Sequence, residues 1–407
     1  AEAMTARILI LGGSRFQVPL IRRAKERGLR VITCDYLPEN PGHRLADEYH
    51  DVSTTDREAV LALAKRIGID AVASFSSDPA MPAVAYVANA LGLPGPPLEA
   101  IVKLTDKGAF RRLMAASGLP TPRHWVLDAD AAAGDIAAAL PADLTRLVVK
   151  PVDSSGSRGI TIVDPAGGDL AAAVRRALEH SPAKRAIVEE YIEGEQIHGD
   201  GYLQDGRLAY QYIGDQAFFT ESGASIPIWT RWPTRKGDAV LRELAAQVDA
   251  VARASGLVEG PLNIEARVTP EGRIHLIEIG PRNGGNHIPI LLERLTGFDF
   301  VGRVLDGALG IRTAPALQPA QRAVGACYIV HSEHDGTYAG LEVSEAVRDK
   351  VMLLEVNKQV GDPVSRYVGS NTALGCALLQ FDSLAESDRL MPAMSSHLAV
   401  ALRPAAR

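Results

Sequence analysis

Leu147–Val163 reads LVVKPVDSSGSRGITIV, and this stretch decides the fold. An apolar run ends in Lys150, a small-residue loop follows, and a second apolar run returns. The pattern predicts strand, loop, strand. The loop holds Ser154, Ser155, Gly156, Ser157 and Gly159. Glycine lets a backbone approach a phosphate closely, and successive amides make an anion-binding concavity. The chain returns to a strand instead of opening a helix. No GxxxxGK(S/T) match occurs, which excludes a Walker-type loop. On local grounds the same residues also make an ordinary turn.

A second region stands far downstream. Residues 260–280 read GPLNIEARVTPEGRIHLIEIG. Two alternating runs flank Thr269-Pro270-Glu271-Gly272, which predicts a hairpin. Glu265 and Glu278 lie on its two arms, embedded among Leu262, Ile264, Leu276, Ile277 and Ile279. Charged groups on half-buried strands are costly unless paired or metal-bound. Two facing carboxylates repel, and a hard divalent cation relieves that repulsion while taking further oxygens from a phosphate. The alternative is two solvated glutamates, or glutamates paired with Arg267 and Arg273. The next residues, Gly280 to His287, read GPRNGGNH, and a helix over IPILLERLTG follows. Arg282 offers a planar, permanently charged fork for phosphate or carboxylate. Glycine amides before a helix N-terminus add donors. An ordinary polar loop with a helix cap is the alternative.

Taken in order, Lys107 in KLTDKGAFRRLMAASGLPTP, Lys150 with its loop, VEEYIEGEQ at 188–196, Glu265, and Glu278 with Arg282 in EIGPR carry a resemblance. The chain resembles the ATP-grasp superfamily of ligases, in the style of its biotin carboxylase, purine-biosynthetic and L-amino acid ligase branches, over residues 1 to 310. The resemblance implies an α/β protein, α+β in its catalytic lobes. A Rossmann-like parallel-sheet domain would span 1–97 and the ATP-grasp domain 98–310. Its small lobe would cover about 108–190 and its large lobe about 191–310, before a C-terminal α+β subdomain at 311–407. It implies ATP and Mg²⁺ (or Mn²⁺) as cofactors. Lys107 and Lys150 resemble the lysines that touch the phosphates. Ser154, Ser155, Gly156, Ser157 and Gly159 resemble the loop that closes over them. Glu189, Glu190, Tyr191 and Ile192 resemble the linker that reads the adenine. Glu265 and Glu278 resemble the metal ligands, and Arg282 the arginine on the acyl phosphate. Two positions depart from the pattern. Gly280 stands where an asparagine is common, and Gln196 stands where a ribose-binding glutamate is common.

The implied activity joins a carboxylate, activated as its acyl phosphate, to an amine, with ADP and phosphate formed. A purine-pathway or bicarbonate-using enzyme of the same fold is the second reading. A nucleotide-binding regulator without turnover is the third, and the intact Lys107, Lys150, Glu265, Glu278 and Arg282 argue against it. No biotin-carrier motif of the AMKM type occurs.

Composition agrees. The 407 residues suffice for two or three domains, and the net charge of −6 with no basic stripe argues against nucleic acid. Cys34, Cys327 and Cys376 lie far apart, which fits a reducing compartment and no zinc site. His331 and His334 lack further ligands. No apolar run reaches the roughly 20 residues a membrane span needs. Ala1-Glu2-Ala3 before Met4 reads as a cloning remnant, and no signal-peptide core precedes the first strand. A cytoplasmic enzyme acting on small-molecule carboxylates and amines, as a monomer or homodimer, is expected.

Residues 7–91 alternate strand and helix, the mark of a parallel sheet. Gly12-Gly13-Ser14 is not GxGxxG, and Asp35 ends the second strand as a dinucleotide-binding acid would. Ser77 and Asp78, at a strand's C-terminal end, are candidates for the acceptor side of a cleft. LPGPP at 93–97 marks a boundary. Asp106 is placed to cap a helix beginning at Lys107. An alanine-rich surface helix is expected over 128–143, a hairpin around Asp205-Gly206, and a helix over 238–255. Phe218–Arg235 holds Trp229, Trp232, Arg231 and Arg235, read either as core anchors or as a substrate lid. Asn283, Gly284, Gly285 and Asn286 complete the candidate substrate residues.

Overall fold

Alternate residues of the first strand, β1 (Arg7–Leu11), face opposite ways, and both faces are apolar. Leu9 and Leu11 pack with Val60 and Val84, whereas Ile8 and Ile10 pack with Leu20 and Leu305. A strand buried on both sides belongs in a parallel sheet with helices on each face. β2 (Arg30–Asp35), β3 (Glu48–Asp51) and β4 (Ala71–Ala73) complete it, in the parallel order β3-β2-β1-β4. The covering helices are α1 (Val18–Glu26), α2 (Arg57–Ile67) and α3 (Met81–Leu91). Asp56 caps α2 by accepting from the Ala59 amide at 3.0 Å, and Gly68 ends it with φ +69°. The computed structural model describes residues 5–130, 140–165, 169–221, 224–319 and 322–403. Most of the alanine-rich helix expected over 128–143 lies outside them.

After the proline-rich break come α4 (Leu98–Thr105) and α5 (Lys107–Ala116). Asp106 separates them and caps α5 by accepting from the Ala109 amide at 2.7 Å. That cap fixes Lys107 as the first helical residue and sets Arg111 one turn later on the same face. The small lobe is an antiparallel sheet of β5 (His124–Asp128), β6 (Leu147–Pro151), β7 (Thr161–Val163) and β8 (Arg185–Glu190), ordered β5-β8-β6-β7. Helix α6 (Leu170–His180) covers one face, with Ala173, Val174 and Ala177 buried.

The large lobe begins with β9 (Glu195–Gln204), β10 (Arg207–Glu221), β11 (Ala224–Trp232), helix α7 (Asp238–Ser255), β12 (Gly260–Val268) and β13 (Ile274–Gly280). Asp205 and Gly206 turn β9 into β10 with φ of 52° and 74°, the conformation a two-residue hairpin needs. Helices α8 (Ile288–Thr296) and α9 (Phe300–Ala308) follow. The C-terminal segment adds β14 (Val324–Val330), β15 (Gly336–Val343), β16 (Val351–Val356), β17 (Pro363–Val364), β18 (Gly375–Phe381), helix α10 (Leu384–Leu390) and β19 (Leu398–Arg403). Pairing of β14 with β11 makes one sheet of β13-β12-β9-β10-β11-β14-β18-β16, so the strands on either side of residue 310 share a sheet. A smaller sheet, β17-β15-β19, lies beside it.

The N-terminal domain is seated on the large lobe by α1 against α9, where Arg23 Nη1 meets Asp299 at 2.6 Å. Arg15 Nη1 reaches Glu355 at 2.8 Å on the C-terminal side. This docking brings the C-terminal ends of β1, β2 and β4 over β13. No helix among the described residues is long and apolar enough to cross a membrane.

Candidate active site

A cleft of about 740 Å³ opens where the three layers meet. Lys107, Ser154 and Ser155 line one side, Glu278 and Gly280 another, and Ser14, Asp35, Ser77 and Asp78 the parallel-sheet side. Sheet direction explains the last group: strand ends of a parallel sheet all point the same way, and loops there converge.

Lys107 Nζ donates to the Ser154 carbonyl at 2.9 Å and stands 3.3 Å from Glu278 Oε2. Burial pushes this ammonium toward the neutral form, but Glu278 and Asp78 outweigh it and the net shift is upward. The loop beyond Lys150 takes positive φ at Gly156, Ser157 and Gly159. A side chain at Gly156 would collide with Ser370, which keeps that tip bare. Ser154 Oγ donates to the Arg158 carbonyl at 3.0 Å, closing the loop on itself.

Lys150 is buried on β6, and its Nζ donates to Glu189 at 2.7 Å. Arg111 shares the same carboxylate, with Nε at 2.7 Å from Glu189 Oε1. The two partners of Lys150–Glu189 shift in the same direction. Burial alone would raise Glu189, but Arg111 and Lys150 hold it well below the usual carboxylate range. For Lys150 burial prevails and Arg111 adds to it, against the pull of Glu189, so its pKa falls. One anion shared by two buried cations is well stabilised, and each cation is less so. Arg111 continues to the Leu276 and Ile277 carbonyls, both at 3.0 Å, immediately before Glu278.

Strand alternation sends Glu190 to the opposite face, where it meets Arg123 at 3.0 Å. Tyr191 is stacked between Arg146 and Arg267, at 4.1 and 4.6 Å from the ring centre. Arg267 also donates to the Ile192 carbonyl at 2.9 Å, so it is turned away from the glutamates of the hairpin.

Glu265 and Glu278 face one another across β12 and β13. Gln196, on β9, donates to Gln216 at 2.8 Å and to Glu265 at 3.2 Å. Burial first, and then the Glu278 charge, push the Glu265 acid up to about 7. Two hard, mutually repelling oxygen donors beside a phosphate-sized cleft fit Mg²⁺ or Mn²⁺, which such sites hold with one or two carboxylates plus phosphate oxygens. Among the described residues no group of three or more His, Cys, Asp or Glu could hold a metal ion.

Arg282 extends to Asp78 with both prongs: Nε donates to Oδ1 at 2.6 Å and Nη2 to Oδ2. A Cβ at Gly280 would sit 3.0 Å from Asp78 Oδ1 and 3.3 Å from the guanidinium. The glycine that departs from the family pattern thus stands where a larger residue would crowd this pair. Beneath the turn lies a buried polar network. Asp200 accepts from the Gly284 amide at 2.8 Å and from Asn263 Nδ2 at 2.8 Å, and Asn263 also donates to His198 Nε2 at 2.8 Å. Burial raises the Asp200 acid to about 6. Burial, with Arg282 nearby, lowers His198 to about 4, so its imidazole is neutral near pH 7.

Several expected residues fall elsewhere. Trp232 is a core side chain whose indole donates to the Tyr212 carbonyl at 3.1 Å. Trp229 packs against the C-terminal core. Arg231 is buried between Asp215 and Asp388, the latter at 2.9 Å, which engage its two Nη nitrogens. Period-two alternation puts Trp229 and Arg231 on one face of β11 and Thr230, next to His198, on the other. Asn286 has φ 52° and its carbonyl accepts weakly from Cys327 and Cys376, away from the cleft. Gly285 has open space around it. Asn283 is 1% exposed and does not line this cleft. The sequence reading missed Arg111, Asp200 and Asn263. Arg111 was detectable as a charge inside the apolar stripe of Phe110, Leu113 and Met114. Asp200 carried no such signal, since its partner lies 63 residues away.

Residues 144–289 match the ATP-grasp domain family. The chain is 33% identical over 240 residues to a D-alanine–D-alanine ligase of Gloeobacter violaceus, covering 54% of this chain and 74% of that protein. The L-amino acid ligase from Bacillus licheniformis superposes with a TM-score of 0.82 at 21% identity, over 98% of this chain and 99% of that one. The biotin carboxylase domain of the Hydrogenobacter thermophilus 2-oxoglutarate carboxylase, solved as a dimer with MgADP and bicarbonate, superposes at 0.73 with 18% identity, over 98% and 92% of the two chains. The chain belongs to the ATP-grasp superfamily. It is an ATP-dependent ligase of that superfamily, whose members use ATP with Mg²⁺.

Proposed function

We propose that this protein activates a carboxylic acid as its acyl phosphate and joins it to an amine, releasing ADP and phosphate. The observation that carries this is one cleft holding Lys107 and Glu278, with Ser154 and Ser155 on one side and Ser77 and Asp78 opposite; Glu265 faces Glu278 across the hairpin, and Arg282 is clasped to the cleft's Asp78. An amino-acid-type acid is favoured over a purine intermediate or bicarbonate, in keeping with the D-alanine–D-alanine ligase and L-amino acid ligase relatives.

In this scheme a substrate carboxylate oxygen attacks the γ-phosphorus, and the bond to ADP breaks. The amine nitrogen then attacks the acyl carbon, phosphate leaves, and the amine gives up a proton. Lys107 and Lys150 bind phosphate oxygens, and the bare loop 154–159 closes over them and excludes water from the acyl phosphate. Lys150 arrives with its charge already shared with Glu189, which would also serve the adenine side. Glu265 and Glu278 would hold Mg²⁺ (or Mn²⁺), which when bound neutralises phosphate charge. Gln196 would accept a ribose hydroxyl. Asp78 holds the Arg282 fork in place until a carboxylate or acyl phosphate takes it, so orientation is set in advance. A homodimer in the cytoplasm is proposed alongside. The three cysteines, all free and buried, suit that compartment, and sedimentation tests the dimer.

The deciding experiment is a screen of amino acids and small acids, singly and in pairs, for ADP and phosphate release. ADP formation that needs both an acid and an amine is the expected result. AMP and pyrophosphate as products, release driven by bicarbonate alone, or ATP binding without any turnover would each overturn it.

A further inference from the structure

Arg282 is held by the backbone of its own turn as well as by Asp78. The Asn283–Gly284 peptide is a planar trans unit, so its N–H and C=O point opposite ways. The carbonyl, on Asn283, accepts from Arg282 Nη1 at 3.0 Å. The amide, on Gly284, donates to Asp200, at 2.8 Å from Oδ2 and 3.0 Å from Oδ1. Whatever grips the amide therefore aims the carbonyl at the guanidinium. With Nε and Nη2 on Asp78, all three nitrogens of Arg282 are engaged, two by a carboxylate and one by this peptide.

Asp200 is fully buried on β9 and does not line the cleft. A buried carboxylate is costly unless it is hydrogen-bonded, and here the bonds run to Asn263 and to the turn. The Asn263 amide at 2.8 Å fixes the carboxylate's orientation. The approach is close: a Cβ at residue 284 would stand 2.9 Å from Asp200 Oδ1 and 3.2 Å from Asn263 Nδ2. Glycine is what permits that grip. A second grip comes from the other side. The Gly284 carbonyl accepts from Ser76 Oγ at 2.7 Å. Ser76 follows β4, two residues before Asp78, and takes φ of 54°, a left-handed conformation that costs a serine energy. The turn is thus held from the large lobe by Asp200 and from the N-terminal domain by Ser76, on either side of Gly284.

We propose that Asp200 and Ser76 are positioning residues for Arg282, acting through the backbone of Gly284 from two different domains. Asp78 holds the guanidinium until a carboxylate or acyl phosphate takes its place. At that exchange the Asn283 carbonyl still holds Nη1, and Asp200 still holds the peptide that carries this carbonyl. The fork keeps its direction while its anionic partner changes, so the charge stabilisation is arranged before the reaction. Docking of the N-terminal domain completes the arrangement through Ser76. The consequence for the acyl phosphate rests on the ligase reading above; the grip on Arg282 does not.

Phenylglyoxal modification of the full chain without nucleotide, followed residue by residue by peptide mass spectrometry, reads how firmly Arg282 is held. Ser76→Gly removes the hydroxyl but relieves the left-handed backbone, so the thermal midpoint should stay close to the wild-type value. Asp200→Asn keeps the volume and sets an NH₂ group where an acceptor was. Each variant should speed modification of Arg282 about fivefold, the factor one ordinary hydrogen bond is worth. The double variant should gain little over either single one, because both residues act through one peptide segment. Arg231, buried between Asp215 and Asp388, is the internal control and should keep its rate. With the acid and amine that give the fastest ADP release in the screen above, kcat should fall by a similar factor while KM for ATP stays unchanged. An Arg282 rate unchanged by Ser76→Gly overturns the proposal, whether or not Asp200→Asn folds. So does an acceleration shared equally by Arg231, or a fall in kcat matched by a rise in KM for ATP. A chain that turns over no acid–amine pair refutes the ligase reading instead, and the modification rates still decide the grip.

Discussion

Replacing Glu265 with glutamine isolates the electrostatics of the carboxylate pair. An ordinary glutamic acid titrates near 4.5, and burial together with Glu278 lifts Glu265 to about 7. Each unit corresponds to about 1.4 kcal/mol, so the shift represents about 3 kcal/mol at full strength. Glu265 is half-buried, and solvent screening reduces the expected value to about 1–3 kcal/mol. The sign follows from the proton. An acid whose folded pKa is raised favours the fold while it is protonated, so the contribution is intact below about 4.5 and is lost as pH rises through about 7. The amide of the glutamine variant has no proton to lose. Urea unfolding of the metal-free protein should therefore show Glu265→Gln gaining on the wild type by about 1–3 kcal/mol between pH 4.5 and 7.5. Divalent metal acts on the same proton. At pH 6.5 a Glu265 titrating near 7 holds about three-quarters of a proton, which must leave when its carboxylate binds Mg²⁺. Calorimetry of Mg²⁺ binding to the ADP complex, in two buffers of different ionisation enthalpy, reads that release. Nucleotide protons contribute equally to both proteins, so the wild-type excess over Glu265→Gln should be about three-quarters of a proton. An excess indistinguishable from zero, with the same pH-stability curve for both proteins, would refute the paired-carboxylate metal site.

Three further outcomes are expected. Glu278→Ala should keep the fold, as judged by an unchanged cooperative unfolding transition, and lose more than about tenfold in kcat, a cost above ~1.4 kcal/mol; retention of over a tenth of the rate removes Glu278 from the metal site. Arg282→Lys keeps the charge but loses the fork that grips Asp78, so kcat should fall by about two to three orders of magnitude with ATP affinity nearly unchanged, read by steady-state rates and calorimetry. Lost ATP affinity at a normal kcat would move Arg282 to nucleotide binding. Arg111→Met leaves the Glu189 carboxylate to Lys150 alone and strands two backbone carbonyls in the interior, and urea unfolding should register a loss of about 2–5 kcal/mol; a loss under about 1 kcal/mol would mean the Arg111–Glu189–Lys150 cluster relaxes into solvent.

The sequence on its own determined the local pieces. Asp106 announced its helix because capping is a contact between residues three apart, and the folded chain makes that cap. Alternation fixed the hairpin that sets Glu265 opposite Glu278, since a strand period of two needs only neighbouring residues. The order of Lys107, Lys150, Glu265, Glu278 and Arg282 was enough to place the chain in its superfamily, because order survives even when no single motif is decisive.

Tertiary structure decided the rest, wherever partners are distant in sequence. Arg231 looked like a carboxylate reader beside two tryptophans, but which face of β11 meets the C-terminal segment is set by sheet order, and that face gave Arg231 to Asp388, 157 residues on. Asn283 looked like a cleft residue from its place after Arg282, yet the turn buries it outside the cleft. Arg111 and Asp200 became visible only once packing buried them, since desolvation is what forces a charge to find a partner. The clasp of Asp78 on Arg282 spans 204 residues and exists only because α1 packs on α9 and carries the end of β4 over β13. Short-range periodicity and capping are written in adjacent residues. Which charges share a low-dielectric interior is a property of the packed whole.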